Sequence, residues 1–308
     1  MLAFISDNVV DTKMPLYKDG RFLGTERNYK IEGNKIIVDN GPVFSIEKLT
    51  TDSLVLKDQW RHRVYKRFSL GSDTTATADQ IILTGKLCGD YRCSSRAIMI
   101  RSNGQVFYSK DDQGVEYFTG RLPAGEFEEI ERKFGRTRFK RLDRNYTSGV
   151  TDQATTSITF LRDNKIINSI EDYGSSAPYN VQWNYSSMLY LPDQLELTHL
   201  KTLRLPFAND ISYFIFFQGN GKTGWYLSDS EEFLLFNYLL TAKEVEPTST
   251  TKLGYRLEYT PYELTVRTTI LTDGRIYQLQ NGDNAPVTLD IGFNFLTENR
   301  EFVEFNEF

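Results

Sequence analysis

The sequence has 308 residues, of which 40% are hydrophobic and 25% are charged, a composition that is ordinary for a globular protein. Its 36 Lys and Arg against 41 Asp and Glu give a net charge of −5. This charge disfavours nucleic acid as the main partner, because phosphate binding requires a basic face. The two Cys are too few for a disulfide-stapled scaffold. Because one core seldom grows beyond about 250–300 residues, the length predicts two or three domains.

The start of the chain and its hydropathy bear on membranes and location. No apolar run approaches the roughly 18 residues of a membrane span. The first residues, Met1-Leu-Ala-Phe-Ile-Ser-Asp7, lack the basic region and the long apolar run of a signal peptide. We therefore expect no membrane span and a cytoplasmic protein, or a periplasmic one if a leader has been removed.

Residues 16–68 predict an antiparallel β-meander. Turn residues stand at 18–22, 32–35 and 39–42, and strands are expected at 28–31, 36–38, 44–49, 53–56 and 63–68. The pattern Tyr29-x-Ile31-x-Gly33-Asn34-x-Ile36, followed by Phe44-x-Ile46-x-x-Leu49 and Ser53-Leu-Val-Leu56, resembles the later strands of bacterial lipocalin-like domains. A full eight-stranded barrel does not fit, so the resemblance implies a truncated barrel or a small sheet.

A linker is expected at 71–79, where no large apolar residue occurs. Beyond it we predict strands at 81–87, 97–101, 105–110 and 115–120, with a hairpin turn at Asn103-Gly104. A helix should begin at Leu122-Pro123 and bury Phe127, Ile130 and Phe134. A second hairpin, 158–161 with 166–171, should turn at Asp163-Asn164, and a short helix should follow at 179–190.

The C-terminal third repeats this order of signals. Strands at 211–218 and 222–227 flank Gly219-Asn-Gly221, Ser228 opens a helix at 233–242, and strands follow at 255–259, 264–271 and 275–280. Gly174 and Gly282 each precede an Ala-Pro pair at the same distance. The pattern predicts a diverged tandem duplication. Residues 301–308 should form an edge strand or a docked tail.

These patterns predict an α+β protein that is mostly β. We expect three units: a β-meander at 1–70 and two related sheet-plus-helix units at 80–200 and 201–308.

Residues 84–178 carry several short motifs. They are Cys88 with Cys93, Asn103-Gly104, Phe118-Thr-Gly120, the helix at 122–134, Val150-Thr-Asp-Gln-Ala-Thr-Thr156 and Asp172-Tyr-Gly-Ser-Ser-Ala-Pro178. Together they resemble an uncharacterised bacterial family known as a domain of unknown function, often seen in envelope proteins. The resemblance implies no activity, because none is assigned to the family.

Few residues suggest chemistry. Cys88 and Cys93 are compatible with structural thiols or a disulfide, with a redox pair, or with half of a metal site, and we predict no metal because His62 and His199 lie far away in sequence. Both histidines lack catalytic or metal-like neighbours. No Walker loop, dinucleotide fingerprint, Gly-x-Ser-x-Gly or His-Glu-x-x-His motif occurs. The sequence thus predicts no catalytic residue, cofactor or metal ligand.

The densest basic run lies at 132–144. Its members Arg132, Lys133, Arg136, Arg138, Lys140 and Arg141 are the candidate partner-binding residues, and Arg144 ends the run. They form either a docking patch for an acidic partner or a solvated face at a helix C-terminus, where cations are favourable.

A group of aromatic residues forms either a recognition surface or part of the core. Its members are Trp183, Tyr185, Tyr190, Trp225 and Tyr226.

We therefore expect a non-enzymatic, protein-binding protein, such as an immunity-type protein that neutralises a toxin or an envelope scaffold. The alternative is the binding of a small hydrophobic ligand in a lipocalin-like cavity, and an enzyme comes third.

Overall fold

A computed structural model describes residues 3–4, 7–11, 17–18, 21–22, 26–39, 41–66, 77–89, 92–111, 115–200, 214–218, 223–246, 253–259, 268–279, 286–299 and 303–304. Within these described residues, three large sheets and four α-helices make the fold α+β and mostly β, as predicted. The N-terminal sheet is an antiparallel meander, which confirms that part of the prediction. The expected linker at 71–79 lies mainly outside the described residues.

The first sheet is built by the N-terminal segment. Its strands are β1 Ala3–Phe4, β2 Val9–Asp11, β5 Glu26–Glu32, β6 Lys35–Val38, β7 Val43–Leu49, β8 Ser53–Lys57 and β9 His62–Lys66, with the separate pair β3 Tyr17–Lys18 and β4 Arg21–Phe22. The sheet order is β1-β2-β5-β6-β7-β8-β9. Strand alternation buries Ile36, Val38, Phe44 and Leu56 together in a small core.

The second sheet has eight strands. They are β10 Gln80–Gly89, β11 Arg92–Arg101, β12 Gln105–Asp111, β13 Val115–Arg121, β14 Asn145–Thr147, β15 Thr155–Arg162, β16 Lys165–Tyr173 and β17 Leu197–His199. Their order is β14-β16-β15-β10-β11-β12-β13-β17, antiparallel except for the parallel pair β14–β16. Both predicted hairpins are present, and Asp163 and Asn164 have the positive φ values, 53° and 63°, that tight hairpin turns favour.

Two helices cover one face of this sheet: α1, Glu126–Gly135, and α2, Tyr179–Leu189. Phe127, Ile130 and Phe134 are buried as predicted. The prediction that α1 begins at Leu122-Pro123 was wrong. The Leu122 N–H still bonds to the Gly104 carbonyl, and the chain enters the helix only after Gly125, whose φ is 83°. Short 3-10 helices lie at Phe139–Arg141 and Leu191–Gln194.

The third sheet comes from the C-terminal segment. Its elements are β18 Phe214–Gln218, β19 Thr223–Tyr226, α3 Asp229–Thr241, β20 Lys243–Glu244, β21 Tyr255–Tyr259, β22 Thr268–Thr272, β23 Ile276–Leu279, β24 Val287–Asp290, α4 Phe295–Asn299 and β25 Val303–Glu304. The strand order is β20-β24-β23-β22-β21-β18-β19-β25. Of the two alternatives expected at the C-terminus, an edge strand or a docked tail, the described residues there form an edge strand, β25, which pairs with β19.

Helix α3 lies between the second and third sheets. One core cluster joins α3 to Ile82, Met99 and Phe107 of the second sheet and to Leu257 and Tyr277 of the third. The run from Ser230 to Leu239 is buried on every side. The second and third sheets therefore share a core, with α3 as its middle layer.

The two large sheets are related in strand order but differ in connection. In each, a single strand separates two hairpins: β16-β15-β10-β11-β12 in one and β23-β22-β21-β18-β19 in the other. Strand β10 precedes both of its hairpins in the chain, whereas β21 follows α3 and lies between them. An unmodified tandem duplication would place β10 and β21 at the same point in the order of strands along the chain. The proposed counterparts Asn220-Gly221 and Gly282 lie outside the described residues.

Candidate interaction surface

The basic run begins on the solvent side of α1. Phe127, Ile130 and Phe134 face the second sheet, so Arg132 lies on the opposite side of the helix and the half-buried Lys133 lies on its flank. Arg136 ends the helix, where its N–H bonds to the carbonyls of Arg132 and Phe134. The local sequence thus places the first cations at the helix C-terminus, where the helix dipole favours positive charge.

Beyond α1, a buried aromatic ring fixes the backbone that carries the remaining cations. Phe139 is fully buried and stacks on Phe160 with ring centroids 4.1 Å apart. The Asn168 side chain donates to the carbonyls of Phe139 at 2.6 Å and Leu142 at 3.1 Å. This anchored turn leaves Arg138, Lys140 and Arg141 exposed.

We call the six predicted residues the basic surface: Arg132, Lys133, Arg136, Arg138, Lys140 and Arg141. Lys133 forms an ion pair with Glu129 at 2.8 Å, and its hydrogen bond lowers the pKa of Glu129. Within the described part of the chain, no ion pair reaches Arg136, Arg138, Lys140 or Arg141. The basic surface therefore carries four cations that no described acidic residue pairs with.

Arg138 has an unusual backbone conformation. Its φ of 56° and ψ of 44° lie in the left-handed region, where Asn, Asp and Gly are usual. The other described non-glycine residues with positive φ are Asp, Asn or Ser, so Arg138 alone among them has a long side chain. The left-handed backbone of Arg138 and the anchored Phe139 together set where this guanidinium leaves the surface.

Arg144, the last cation of the run, has a different role. Its Nη2 donates to both carboxylate oxygens of Glu231, at 2.9 and 2.7 Å, and its guanidinium lies 6.0 Å from the Trp225 ring centroid. The Glu231 side chain is fully buried at the start of α3. Arg144, which directly precedes β14, therefore fastens α3 to the second sheet, a role that its place in the basic run did not indicate.

A buried hydroxyl network continues from this ion pair. Ser230 Oγ lies 2.6 Å from Ser157 Oγ and 2.7 Å from Thr159 Oγ1, and Ser169 Oγ lies 3.0 Å from Ser228 Oγ. Neither histidine adjoins this network, since His199 lies at the opposite edge of the sheet and His62 belongs to the first sheet. The titratable group beside the hydroxyls is the Glu231 carboxyl. No sequence motif indicates this network, because its members come from the β15–β16 hairpin and from the distant start of α3.

Three carboxyl groups gather near the N-terminus of α3. Burial raises the pKa of Glu231, although Arg144 opposes the shift. Burial also raises the pKa of Asp229 and of Glu171, and repulsion from Asp229 and Glu231 adds to the shift of Glu171. Within the described part of the molecule, no group of His, Cys, Asp or Glu has the arrangement of a metal site. Because burial disfavours the charged forms of these three carboxyl groups, the cluster bears on the stability of the α3 interface.

The two histidines lie apart, each beside a glutamate. His62 Nδ1 is 2.7 Å from Glu47 Oε2, and His199 Nε2 is 3.7 Å from Glu116 Oε1. Both side chains are about half exposed, and the His199 ring packs on Phe118. Neither histidine adjoins the buried serines.

The backbone register places Cys88 directly opposite Cys93 in the β10–β11 pair. Opposed residues in antiparallel sheets have Cα atoms about 4.5–5.5 Å apart, within the roughly 7 Å that a disulfide allows. The two side chains lie outside the described residues, so the alternatives for this pair stay open.

The Asp172-to-Pro178 motif has a structural role. Buried Asp172 accepts hydrogen bonds from the backbone N–H groups of Ser176 at 2.6 Å and Ala177 at 2.9 Å, and from the Tyr185 hydroxyl at 2.6 Å. Gly174 adopts a φ of 71° against Ser148, where a side chain would not fit. The motif locks the turn between β16 and α2.

The predicted aromatic group belongs mainly to the core. Tyr185 and Trp225 are buried, Trp183 and Tyr190 are half-buried, and Tyr226 is 55% exposed. These rings therefore do not form one continuous recognition surface.

Residues 79–192 match the model of a family described as a domain of unknown function, DUF6438. The matched segment spans most of the second sheet together with α1 and α2, and it includes the six residues of the basic surface. No curated protein matches the chain. No helix in the described portion is long and apolar enough to cross a membrane.

Proposed function

We propose that this protein is a non-enzymatic binding protein that docks an acidic protein partner on the basic surface. The observation that carries the proposal is Arg138, an exposed arginine in a left-handed backbone conformation. A non-glycine residue there costs roughly 1–2 kcal/mol. Glycine or asparagine would relieve the strain, so an arginine at this position argues for a role outside folding.

The charge pattern supports a protein partner. Four cations lie together in a chain whose net charge is −5, so the positive field is local and small. Such a patch steers an acidic surface towards one orientation and mainly changes the association rate. A nucleic-acid groove would need a wider basic face. An immunity-type protein or an envelope scaffold is the finer form of this proposal.

The test compares two triple variants with the same change in net charge. The first is Arg136→Glu/Arg138→Glu/Arg141→Glu, and the control is Lys35→Glu/Lys48→Glu/Lys165→Glu, at exposed lysines on other surfaces. Partners are identified by pull-down with mass spectrometry, and their association rates are then measured at low and high salt. We expect the first variant alone to slow association and to flatten its salt dependence, while both remain folded. Unchanged association in the first variant would return these cations to a solvated face.

A second proposal, the binding of a small hydrophobic ligand by the lipocalin-like first sheet, has one supporting observation. Phe44, Leu56 and their neighbours form an apolar core separate from the larger cores. The proposal predicts that a fluorescent fatty-acid analogue binds the wild-type protein and loses affinity in Leu56→Glu. No change in fluorescence with the folded wild type would end this proposal.

A further inference from the structure

The turn between β8 and β9 presents a tryptophan to solvent. Trp60 is 83% exposed, the highest value for a large apolar side chain in the described residues. No aromatic or cation–π contact to its ring occurs in that same set. A large, exposed apolar side chain is informative, because burying it in a partner yields more affinity than burying most other residues.

The backbone beneath Trp60 is held rigidly by Asp58. One carboxylate oxygen of Asp58 accepts the N–H groups of Trp60 at 2.8 Å and Arg61 at 2.7 Å. The other oxygen accepts from Arg63 at 2.9–3.0 Å, and the Asp58 N–H bonds to the Arg61 carbonyl at 3.0 Å. The turn is therefore ordered before any partner arrives, which reduces the entropy lost on binding.

The charge around the indole is positive. The Asp58 carboxylate is used within the turn, where backbone N–H groups and Arg63 lower its pKa. Lys57 and Arg61 are exposed on either side, and neither has an ion pair to another described residue. We call Lys57, Gln59, Trp60 and Arg61 the Trp60 tip.

We propose that the Trp60 tip is a second docking element, which inserts its indole into an apolar pocket rimmed by carboxylates on a protein partner. Tryptophan and arginine are the residue types that most often dominate protein interfaces. Lys57 and Arg61 complement the acidic rim, while the indole fills the pocket. This element is separate from the basic surface, since it belongs to the first sheet.

The sheet geometry favours a protein pocket over a lipid surface. The other strongly exposed apolar residues of this sheet are spread along it rather than gathered at the tip. Leu49 at 70% and Ile31 at 57% lie near the turns at the opposite end of the strands, and Val64 at 68% lies midway along β9. Of the described residues in this group, only Val43, at 50%, lies at the same end as Trp60, so the sheet offers one small apolar contact there rather than a broad face for a membrane. One indole and two cations form a small anchor, whereas stable membrane attachment usually combines stronger signals.

The experiment uses the full chain and a phage-displayed library of random dodecapeptides, with peptides selected on the wild type alone and then measured on the wild type and on Trp60→Ala. We expect enriched peptides that combine Leu, Phe or Met with Asp and Glu. Their affinity should fall about tenfold in Trp60→Ala and about threefold in Arg61→Glu. The control Leu49→Ala, at the opposite end of the sheet, should bind them like the wild type.

Three outcomes would overturn the proposal. The first is a selected pool that binds Trp60→Ala as well as the wild type. The second is Trp60-dependent sedimentation with equimolar phosphatidylcholine and phosphatidylglycerol vesicles, which would assign the tip to membranes. The third is self-association abolished by Trp60→Ala, which would identify a second copy as the occupant. The triple variant of the basic surface should keep full peptide affinity, so the two proposals fail independently.

Discussion

Helices α1 and α3 begin with the same pattern of acids but occupy different environments. The first turn of α1 carries Glu126, Glu128 and Glu129, and that of α3 carries Asp229, Glu231 and Glu232. In α1 these carboxylates face solvent or lie at the surface. In α3, Glu231 and Glu232 are buried between two sheets. The acids of both helices lie favourably at the positive end of the helix dipole, but those of α3 have a much larger cost of desolvation than those of α1.

The N-caps of the two helices reflect this difference. The N-cap of helix α1 is Gly125, which has no side chain that could accept a hydrogen bond. Water can satisfy the backbone N–H groups at this exposed helix start. Helix α3 starts with a complete capping box: Ser228 Oγ accepts from the Glu231 N–H, and the Glu231 carboxylate accepts from the Ser228 N–H. A buried helix start needs internal partners for every polar group, and here Ser228, Glu231 and Arg144 supply them.

The largest expected effect follows from removing the counter-charge of the buried acid. Arg144→Ala leaves the Glu231 carboxylate buried and unpaired, and we expect a loss of about 3 kcal/mol in the free energy of unfolding. This lies at the low end for a broken buried pair, because the Arg144 side chain is 46% exposed and water can replace it in part. Urea denaturation would measure the loss. Arg141→Ala, an exposed cation of the basic surface, should cost less than about 0.5 kcal/mol, and equal losses would contradict the role of Arg144.

The caps offer the next comparison. Ser228→Ala removes the α3 cap and a member of the buried hydroxyl network, so we expect a cost of about 2 kcal/mol. Gly125→Ala at the start of α1 should cost about 1 kcal/mol, through backbone strain alone, because nothing lies near the added Cβ. Thermal unfolding of both variants would rank them. A larger effect at Gly125 would mean that the α3 cap is less important than its burial indicates.

The sequence predicted elements better than environments. The hairpins at Asn103-Gly104 and Asp163-Asn164 and the start of α3 follow from local turn and cap chemistry. Proximity in sequence places Arg144 in the basic run and cannot reveal that its partner, Glu231, lies at the distant start of α3. The exposure of Trp60 was likewise hidden, since an aromatic residue between strands usually packs in a core. Contacts between distant segments decide these environments.

Backbone strain at Arg138 predicts a variant that is more stable than the wild type, unlike the variants above. Arg138→Gly relieves the left-handed backbone, and we expect a gain of about 1 kcal/mol in stability together with weaker binding of an acidic partner. Arg136→Gly is the matched control, because Arg136 has an ordinary helical φ of −65°. There glycine should cost about 0.5–1 kcal/mol. Chemical denaturation of both variants, beside partner binding, would show whether stability and affinity oppose each other at Arg138; a destabilised Arg138→Gly would remove the strain argument.

The smallest effect concerns pH and the carboxyl cluster beside α3. Burial and the neighbouring Asp229 and Glu231 raise the pKa of Glu171 above its ordinary value of 4.5, while Arg144 opposes the shift. The folded state therefore binds this proton more tightly than the unfolded state, so the contribution of Glu171 to stability is lost as the pH rises through its folded pKa. Glu171→Gln should stabilise the protein at neutral pH by less than about 1 kcal/mol, because partial exposure screens the charge, and should change nothing below the unfolded pKa.

The matched control for this pH dependence is on α1. The hydrogen bond from Lys133 lowers the pKa of Glu129, so its contribution is present at neutral pH and is lost as the pH falls through the folded pKa. Glu129→Gln should therefore destabilise the protein by about 0.3 kcal/mol at neutral pH and have no effect in acid. Unfolding free energies of both variants at neutral and acidic pH should diverge in opposite directions. If Glu171→Gln instead destabilises the protein at neutral pH, the attraction of Arg144 outweighs burial, and the cluster at α3 is a favourable ion network of the kind that α1 has at its surface.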